Sequence, residues 1–284
     1  MSTLTPLISA QALHALQDVL ILDCRFDLTN PYAGEQAYRS GHIPHARYLD
    51  LEKELSGAKT GKNGRHPLPN PIHLSNTLRQ LGLNKNTHVV AYDDQESIFA
   101  ARTWWLLRWL GHSQVQVLDG GLSAWLQADY PLSLAVLPKP LGNFQEKQNS
   151  VPTVDTALVL NNLHHQTWQL LDARAPDRFQ GKNETLDPVG GHIPGAYNRH
   201  FRNNLRANGC FKSAVQLYDE FTQQLTSTLP VIHQCGSGVS ACQNLLAMEI
   251  AGLPSGVLYP GSWGEWCSDP QRPISLTSTD SISI

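Results

Sequence analysis

Residues 229–242 have the sequence Leu229-Pro-Val-Ile-His-Gln-Cys235-Gly-Ser-Gly-Val-Ser-Ala-Cys242. An apolar run ends at the first cysteine, a short segment rich in glycine and serine follows, and later residues have apolar side chains at helical spacing. This order predicts a strand, a tight loop and a helix. Such a loop surrounds Cys235 with backbone N–H groups at a helix N-terminus, which favour a thiolate. A cysteine after a strand is also often an inert buried residue, so this stretch alone leaves both interpretations open.

The composition is that of an ordinary globular protein. The 284 residues are 41% hydrophobic and 16% charged, and the formal net charge is −3, so we expect neither nucleic acid nor a membrane surface as partner. The five cysteines are scattered without Cys-x-x-Cys pairs, which argues against a disulfide framework or a metal cluster. No stretch approaches the roughly 18 apolar residues of a membrane span, and the first residues lack an export signal. We therefore expect a cytoplasmic protein with reduced thiols, without a metal or another cofactor.

The two halves of the chain repeat the same landmarks in the same order. The matching segments are Leu22-Asp23-Cys-Arg25 with Leu171-Asp172-Ala-Arg174, and Gly41-His-Ile-Pro-His-Ala46 with Gly191-His-Ile-Pro-Gly-Ala196. Strand patterns alternate with helix patterns in both halves, which predicts an α/β fold with a mainly parallel sheet in each. The repeat is much longer than that of stacked-repeat proteins. We therefore predict two similar domains, residues 1–130 and 153–284, joined by a linker over 131–152.

The repeat separates features that both halves share from features of one half. The Asp-x-Arg pairs and the two Gly-His-Ile-Pro turns, with His42 and His192, occur in both halves, so we expect them to fix strand ends and a turn. The cysteine loop occurs once, because the position that corresponds to Cys235 is Asp93, which cannot act as a sulfur nucleophile. Arg178 likewise has no counterpart in the first half. Cys235 and Arg178 are therefore candidates for chemistry.

These features together resemble the two-domain rhodanese-type sulfurtransferases, and most closely their 3-mercaptopyruvate branch. The branch has the loop signature Cys-Gly-Ser-Gly-Val-Thr-Ala, and the chain departs from it only at Ser240. The resemblance also covers Asp119-Gly-Gly-Leu and Gly261-Ser-Trp-x-Glu-Trp266. It implies two tandem rhodanese-like domains, each a mainly parallel sheet flanked by helices. It further implies a catalytically inactive first domain and an active-site cysteine in the second.

The resemblance implies a sulfurtransferase that works through a persulfide on Cys235. The expected donor is 3-mercaptopyruvate, which would leave as pyruvate, and the acceptor is a thiol or cyanide, with a thioredoxin-like protein as one candidate. The loop residues that would bind the donor are Gly236, Gly238, Val239 and Ser240.

The uncharged Gly236 and Ser237 favour a donor with one carboxylate over thiosulfate, because thiosulfate-type rhodaneses carry basic residues there. Thiosulfate remains an alternative donor. A module that carries a persulfide received from another protein is an alternative of a different class. A phosphatase is disfavoured, because Ala241 stands where such enzymes have a phosphate-binding arginine.

Two arginines that bind the donor carboxylate are typical of the mercaptopyruvate branch. By resemblance the first is Arg178. The position that corresponds to the second is Asp187, so we consider Arg199 and Arg202 as substitutes, or a different donor.

A proton relay of serine, histidine and an acid is also implied by the resemblance. It corresponds to Ser237, His66 and Glu52, with Asp50 as the alternative acid. His66 as a surface residue without a catalytic role is the competing interpretation.

Overall fold

We describe the protein from a computed structural model, which covers residues 4–136, 138, 140–147, 150–225 and 229–276. The chain divides into two compact units. The first comprises residues 1–57, 68–151 and 205–211, and the second comprises 58–67, 152–204 and 212–284. The domain boundaries given by the repeat stay a prediction, and their outermost residues, 1–3 and 277–284, lie outside the described residues, as do linker positions 137, 139, 148 and 149.

The first unit is built on a parallel sheet. Its strands within the described residues are β1 (Leu7–Ile8), β2 (Val19–Asp23), β3 (Arg47–Tyr48), β4 (His88–Tyr92) and β5 (Val115–Leu118). They lie in the order β1-β5-β4-β2-β3, and each neighbouring pair is parallel. The helices are α1 (Ala10–Ala15), α2 (Ala33–Ser40), α3 (Pro71–Gln80), α4 (Ile98–Trp109) and α5 (Gly121–Gln127).

The second unit has a parallel sheet of the same order. Its strands in the described part of the chain are β6 (Gln169–Asp172), β7 (Ala196–Asn198), β8 (Val231–Gln234) and β9 (Val257–Leu258). They lie in the order β7-β6-β8-β9, which corresponds to β3-β2-β4-β5 of the first unit. The helices are α6 (Thr156–His165), α7 (Pro176–Phe179), α8 (Ala214–Gln224), α9 (Ala241–Ile250) and α10 (Ser262–Trp266), with a 3₁₀ helix over Phe201–Asn204. Thr153 forms a parallel bridge with Leu258, as β1 does with β5.

Local sequence signals account for many of these elements. The side chain of Ser9 caps α1 by accepting from the Ala12 N–H, and Asn70 caps α3 just before Pro71. The helix α9 is predominantly apolar, and its residues 241–248 are all buried. A helix with this little polar surface has to be internal, so the segment that follows the cysteine loop is held by packing on all sides.

The shared Asp-x-Arg pairs fix strand ends, as predicted. Arg25 pairs with Asp23 at 2.7 Å and donates to the Gly41 carbonyl at 2.7 Å. The second unit repeats the arrangement, because Arg174 pairs with Asp172 and donates to the Gly191 carbonyl, each at 2.7 Å. His42 and His192 each use Nδ1 to contact a backbone carbonyl at 2.8 Å. These groups serve the fold that both units share.

Candidate active site

Cys235 lies between β8 and α9, at the carboxyl end of a central strand of the second sheet. Only 2% of the residue is exposed. Its N–H donates to Ser262 Oγ at 3.1 Å, and its carbonyl accepts from the Trp263 N–H at 3.0 Å. The start of α10 therefore holds the backbone of the cysteine in place. The predicted order of strand, loop and helix is confirmed.

The loop after the cysteine turns back on the sulfur. The Ser237 N–H donates to Cys235 Sγ, with 3.4 Å between nitrogen and sulfur. Gly238 makes this turn possible, because its φ is +74° and a Cβ there would lie 2.5 Å from the Pro260 carbonyl oxygen. A residue with a side chain would be strained by the backbone angle and would collide with that carbonyl.

Three further N–H groups lie at the start of α9. They belong to Val239, Ser240 and Ala241, and none has an acceptor within the described part of the chain. Unpaired N–H groups at a helix N-terminus favour an anion, both as hydrogen-bond donors and through the helix dipole. The loop can therefore stabilise negative charge on the sulfur of Cys235 or on a group attached to it.

The corresponding loop of the first unit holds an anionic group of its own. Asp93 stands 142 positions before Cys235 and follows β4 as Cys235 follows β8. Its two carboxylate oxygens accept four N–H groups at 2.8–2.9 Å, those of Gln95, Ser97, Phe99 and Ala100. Burial raises the pKa of Asp93 to about 6, while these N–H groups act to lower it. The carboxylate of Asp93 in the first unit thus occupies the position that corresponds to the thiol of Cys235 in the second unit.

Ser237 and His66 form a hydrogen bond, with 2.8 Å between Oγ and Nδ1. They are 5% and 3% exposed, so His66 is a buried residue and not a surface one. The segment 58–67, which carries His66, belongs to the second unit together with Ser237. The structure thereby brings together two of the three residues of the predicted relay.

The candidate acids belong to the first unit. Glu52 is exposed and follows β3, and its N–H donates to Asp50 Oδ1 at 2.8 Å. Asp50 is buried and also accepts from the hydroxyl of Tyr48 at 3.2 Å. The assignment of either acid to the relay stays a prediction.

Arg178 lies beside the cysteine loop. Its Nη2 is 3.4 Å from the position that a Cβ on Gly236 would take. Nη2 also donates to Glu184 at 2.8 Å, and Nε donates to the same carboxylate at 3.0 Å. Burial acts to raise the pKa of Glu184, but the hydrogen bonds and charge of Arg178, together with the N–H groups of Leu186 and Asp187, outweigh it and hold that pKa below its usual value. Arg178 is thus oriented by an ionised partner and is still 19% exposed at its side chain.

Arg65 is a residue of the site that sequence reasoning missed. Its Nη2 would lie 2.5 Å from a Cβ on Gly236, closer than that of Arg178. Nε and Nη2 donate to the two oxygens of Asp187 at 2.9 Å and 3.2 Å. One signal was present, because an acid at position 187, where the family has an arginine, calls for a cationic partner.

The two arginines that were offered as substitutes contact other groups. Arg199 donates to Asn204 and to Glu220, each at 3.0 Å, and lies over the ring of Phe221. Arg202 lies near the ring of Phe201, at 5.9 Å from its centre. The guanidinium groups found beside Gly236 are those of Arg65 and Arg178.

Comparison with known proteins agrees with this arrangement. The family model described as "Rhodanese-like domain" matches residues 9–128 and again residues 155–269. The chain belongs to the rhodanese family. Each match covers one of the two repeats, so the two tandem rhodanese-like domains expected from the sequence are confirmed.

Relatives within the rhodanese family are sulfurtransferases. A Pseudomonas aeruginosa protein named "Probable 3-mercaptopyruvate sulfurtransferase" is 44% identical over 280 residues, which are 94% of this chain and 98% of that one. A Mycobacterium tuberculosis protein named "Putative thiosulfate sulfurtransferase SseB" is 38% identical over 272 residues, 93% of each chain. The crystal structure of SseA from Escherichia coli, described among 3-mercaptopyruvate sulfotransferases, has a TM-score of 0.80 and 33% identity, and covers 92% of this chain and 99% of that one. This member of the rhodanese family is therefore a sulfurtransferase that takes sulfur from a small donor.

Neither a metal site nor a membrane span is found among the described residues. They contain no group of three or more His, Cys, Asp or Glu side chains arranged to hold a metal ion. None of the helices among them combines the length and apolar character needed to cross a bilayer.

Proposed function

We propose that the protein transfers sulfur from 3-mercaptopyruvate to a thiol or to cyanide through a persulfide on Cys235, and releases pyruvate. The observation that carries the proposal is the loop around Cys235, where the Ser237 N–H donates to Sγ and α9 begins six residues after the cysteine. The relatives that are named for 3-mercaptopyruvate support the choice of donor.

The first half-reaction follows from thiolate chemistry. The Cys235 thiolate attacks the thiol sulfur of the donor, so that a sulfur–sulfur bond forms and the carbon–sulfur bond of mercaptopyruvate breaks. The electron pair of the broken bond stays on carbon as the enolate of pyruvate, which takes up a proton. The cysteine keeps the transferred sulfur as a persulfide.

The loop favours the persulfide over the free thiolate. In the first unit the carboxylate oxygens of Asp93 lie one bond beyond Cγ, and four N–H groups receive them. The outer sulfur of a persulfide also lies one bond beyond Sγ. We infer that it occupies the equivalent place, near the unpaired N–H groups of Val239 and Ala241, where preorganised donors stabilise its charge.

Ser237 and His66 handle the proton. The Ser237 hydroxyl belongs to the residue whose N–H contacts the sulfur, and its hydrogen bond to His66 links it to an imidazole, a group that can both accept and donate a proton. We propose that this pair delivers the proton of the donor thiol to the enolate. Glu52 or Asp50 is proposed as the acid that orients the histidine.

In the second half-reaction, an acceptor thiolate or cyanide attacks the outer sulfur and regenerates the Cys235 thiolate. A thioredoxin-like protein as the thiol acceptor and a cytoplasmic location stay predictions. Thiosulfate is the second candidate donor, because a Mycobacterium tuberculosis relative is named as a putative thiosulfate sulfurtransferase.

The test is to incubate the protein with each donor and measure its intact mass. We expect 3-mercaptopyruvate to add one sulfur atom to the wild type and to Cys210→Ser, but none to Cys235→Ser. Cys210 is a suitable control because it is a half-buried thiol in the first unit. Loading by thiosulfate alone would contradict the proposed donor. Loading only from a persulfide-bearing partner protein would identify a relay module.

A further inference from the structure

We propose that Arg65 binds the donor carboxylate together with Arg178, and that Asp187 is the residue that positions Arg65. This inference rests on the proposed function, because it requires a donor thiol that carries a carboxylate. It assigns the role of the second arginine to a segment of the chain distant from position 187.

Arg65 and Arg178 both lie beside the cysteine loop. The Nη2 atoms of Arg65 and Arg178 lie 2.5 Å and 3.4 Å from the place where a Cβ on Gly236 would stand. Gly236 directly follows Cys235, so both guanidinium groups border the loop that holds the sulfur. The absence of a side chain at position 236 leaves the space that Arg65 enters. Mercaptopyruvate is small, so a donor whose sulfur reaches Cys235 has its carboxylate close by.

Asp187 orients the guanidinium group of Arg65. Asp187 receives Nε and Nη2 of Arg65 on its two oxygens, which fixes the plane of the guanidinium group. The Asp187 side chain is almost fully covered, whereas that of Arg65 is 24% exposed. Within the described residues, Nη1 of Arg65 and Nη1 of Arg178 have no protein acceptor. Each arginine therefore binds an acid through Nε and Nη2 and keeps Nη1 available to donate to a ligand.

The charges around Arg65 and Arg178 are balanced by acids. The guanidinium groups of Arg65, Arg174 and Arg178 are joined by ion pairs to the carboxylates of Asp172, Glu184 and Asp187. Three positive and three negative charges leave the cluster neutral. Such a cluster can accept one carboxylate through directed hydrogen bonds, but it gives little net attraction to a dianion such as thiosulfate. The pairing of Arg65 with Asp187 therefore favours a monoanionic donor.

A purely structural role is the competing explanation, in which Arg65 and Asp187 only anchor the segment 58–67 and with it His66. Two donors separate the roles. Mercaptoacetone has the same thiol beside a ketone as mercaptopyruvate, but it carries a methyl group in place of the carboxylate. Loss of carboxylate binding slows only the reaction of mercaptopyruvate, whereas displacement of His66 slows both.

The experiment measures the rate constant for loading Cys235 from each donor at low donor concentration. For Arg65→Gln we expect a loss of about 10- to 100-fold with mercaptopyruvate and no change with mercaptoacetone. Arg178→Gln should behave alike. Lys62→Gln is the matched control, because it removes one positive charge from an exposed residue of the same segment, and it should leave both rates unchanged.

Asp187→Asn tests the positioning role. It weakens the hold on Arg65 and removes one negative charge, so the ratio of thiosulfate to mercaptopyruvate loading should rise about tenfold. Asp187→Glu should keep the ratio of the wild type. Equal effects of Arg65→Gln on mercaptopyruvate and mercaptoacetone, or no effect on either, would overturn the inference while leaving the proposed function intact. Failure of the wild type to load from mercaptopyruvate would refute the proposed function and this inference with it.

Discussion

Ser237 Oγ lies 2.8 Å from His66 Nδ1, although the two residues are 171 positions apart in the chain. The N–H of the same serine contacts Cys235 Sγ. The residue that contacts the sulfur through its N–H is thereby connected through its hydroxyl to a buried imidazole. This arrangement suits proton transfer to a carbanion that forms when a carbon–sulfur bond breaks.

Ser237→Ala should slow pyruvate release about 100-fold, because it removes the hydroxyl that carries the proton and leaves the N–H contact to the sulfur. His66→Gln should have an effect of similar size. The double variant should be little slower than either single one, because the two side chains act as a unit. The measurement is the rate of pyruvate release in a single turnover, and multiplicative effects of the two changes would contradict a shared relay.

Gly236→Ala and Gly238→Ala should fail in different ways. At position 236 a Cβ meets the flexible end of Arg65, so we expect a several-fold higher KM for mercaptopyruvate with normal stability. At position 238 it meets the Pro260 carbonyl at a φ of +74°, so we expect a loss of about 1–3 kcal/mol in unfolding free energy and of activity. Steady-state kinetics and urea unfolding of both variants check this. An unchanged KM for Gly236→Ala would count against a donor site at Arg65.

Asp93→Ala should loosen the loop of the first unit. The carboxylate satisfies four buried N–H groups, and its removal leaves them without an acceptor, at a cost of about 2–4 kcal/mol. Amide hydrogen exchange at Ser97, Phe99 and Ala100 should become much faster. Cys235→Ala is the matched change in the second unit and should cost much less, because within the described residues Cys235 Sγ accepts one N–H group, that of Ser237, and those of Val239 and Ala241 have no protein acceptor to lose. Equal costs would contradict the contrast between the loops.

The buried His233 should make the protein sensitive to acid. Burial lowers the pKa of His233 from 6.5 to about 3, so the folded protein keeps the imidazole neutral where the unfolded chain takes up a proton. The unfolding free energy should therefore fall as the pH drops from about 6.5 to about 3, by up to about 5 kcal/mol from this group. His233→Gln should remove that part of the slope, and His73→Gln, at an exposed site, should leave it. Urea unfolding at several pH values measures it, and identical slopes in His233→Gln and the wild type would contradict the prediction.

The fold was predictable because its determinants are local or repeated. The strand β4 covers His88–Tyr92, because an apolar run there stops at polar side chains. The helix α2 gave a weaker signal, because its N-cap, Tyr32, makes no side-chain hydrogen bond with the helix. The repeat singled out Cys235 because it supplies an internal comparison with Asp93.

The residues that we propose to bind the donor were only partly predictable. Arg178 followed from the family resemblance, but Arg65 did not, because its contact with Asp187 spans 122 positions and belongs to no sequence motif. Position 187 was interpreted as a missing arginine. In the structure the acid there holds an arginine from the segment 58–67, which places a guanidinium group beside Gly236. Such a pairing becomes visible only when the fold brings the two segments together.

We propose that sulfur moves from 3-mercaptopyruvate to Cys235 before any acceptor takes part. The most direct test mixes the protein with less than one equivalent of donor, without acceptor, and measures pyruvate and the mass of the peptide that contains Cys235. We expect one pyruvate to be released for each sulfur atom retained on Cys235. Pyruvate released without sulfur on that residue, or an equal yield from Cys235→Ser, would contradict it.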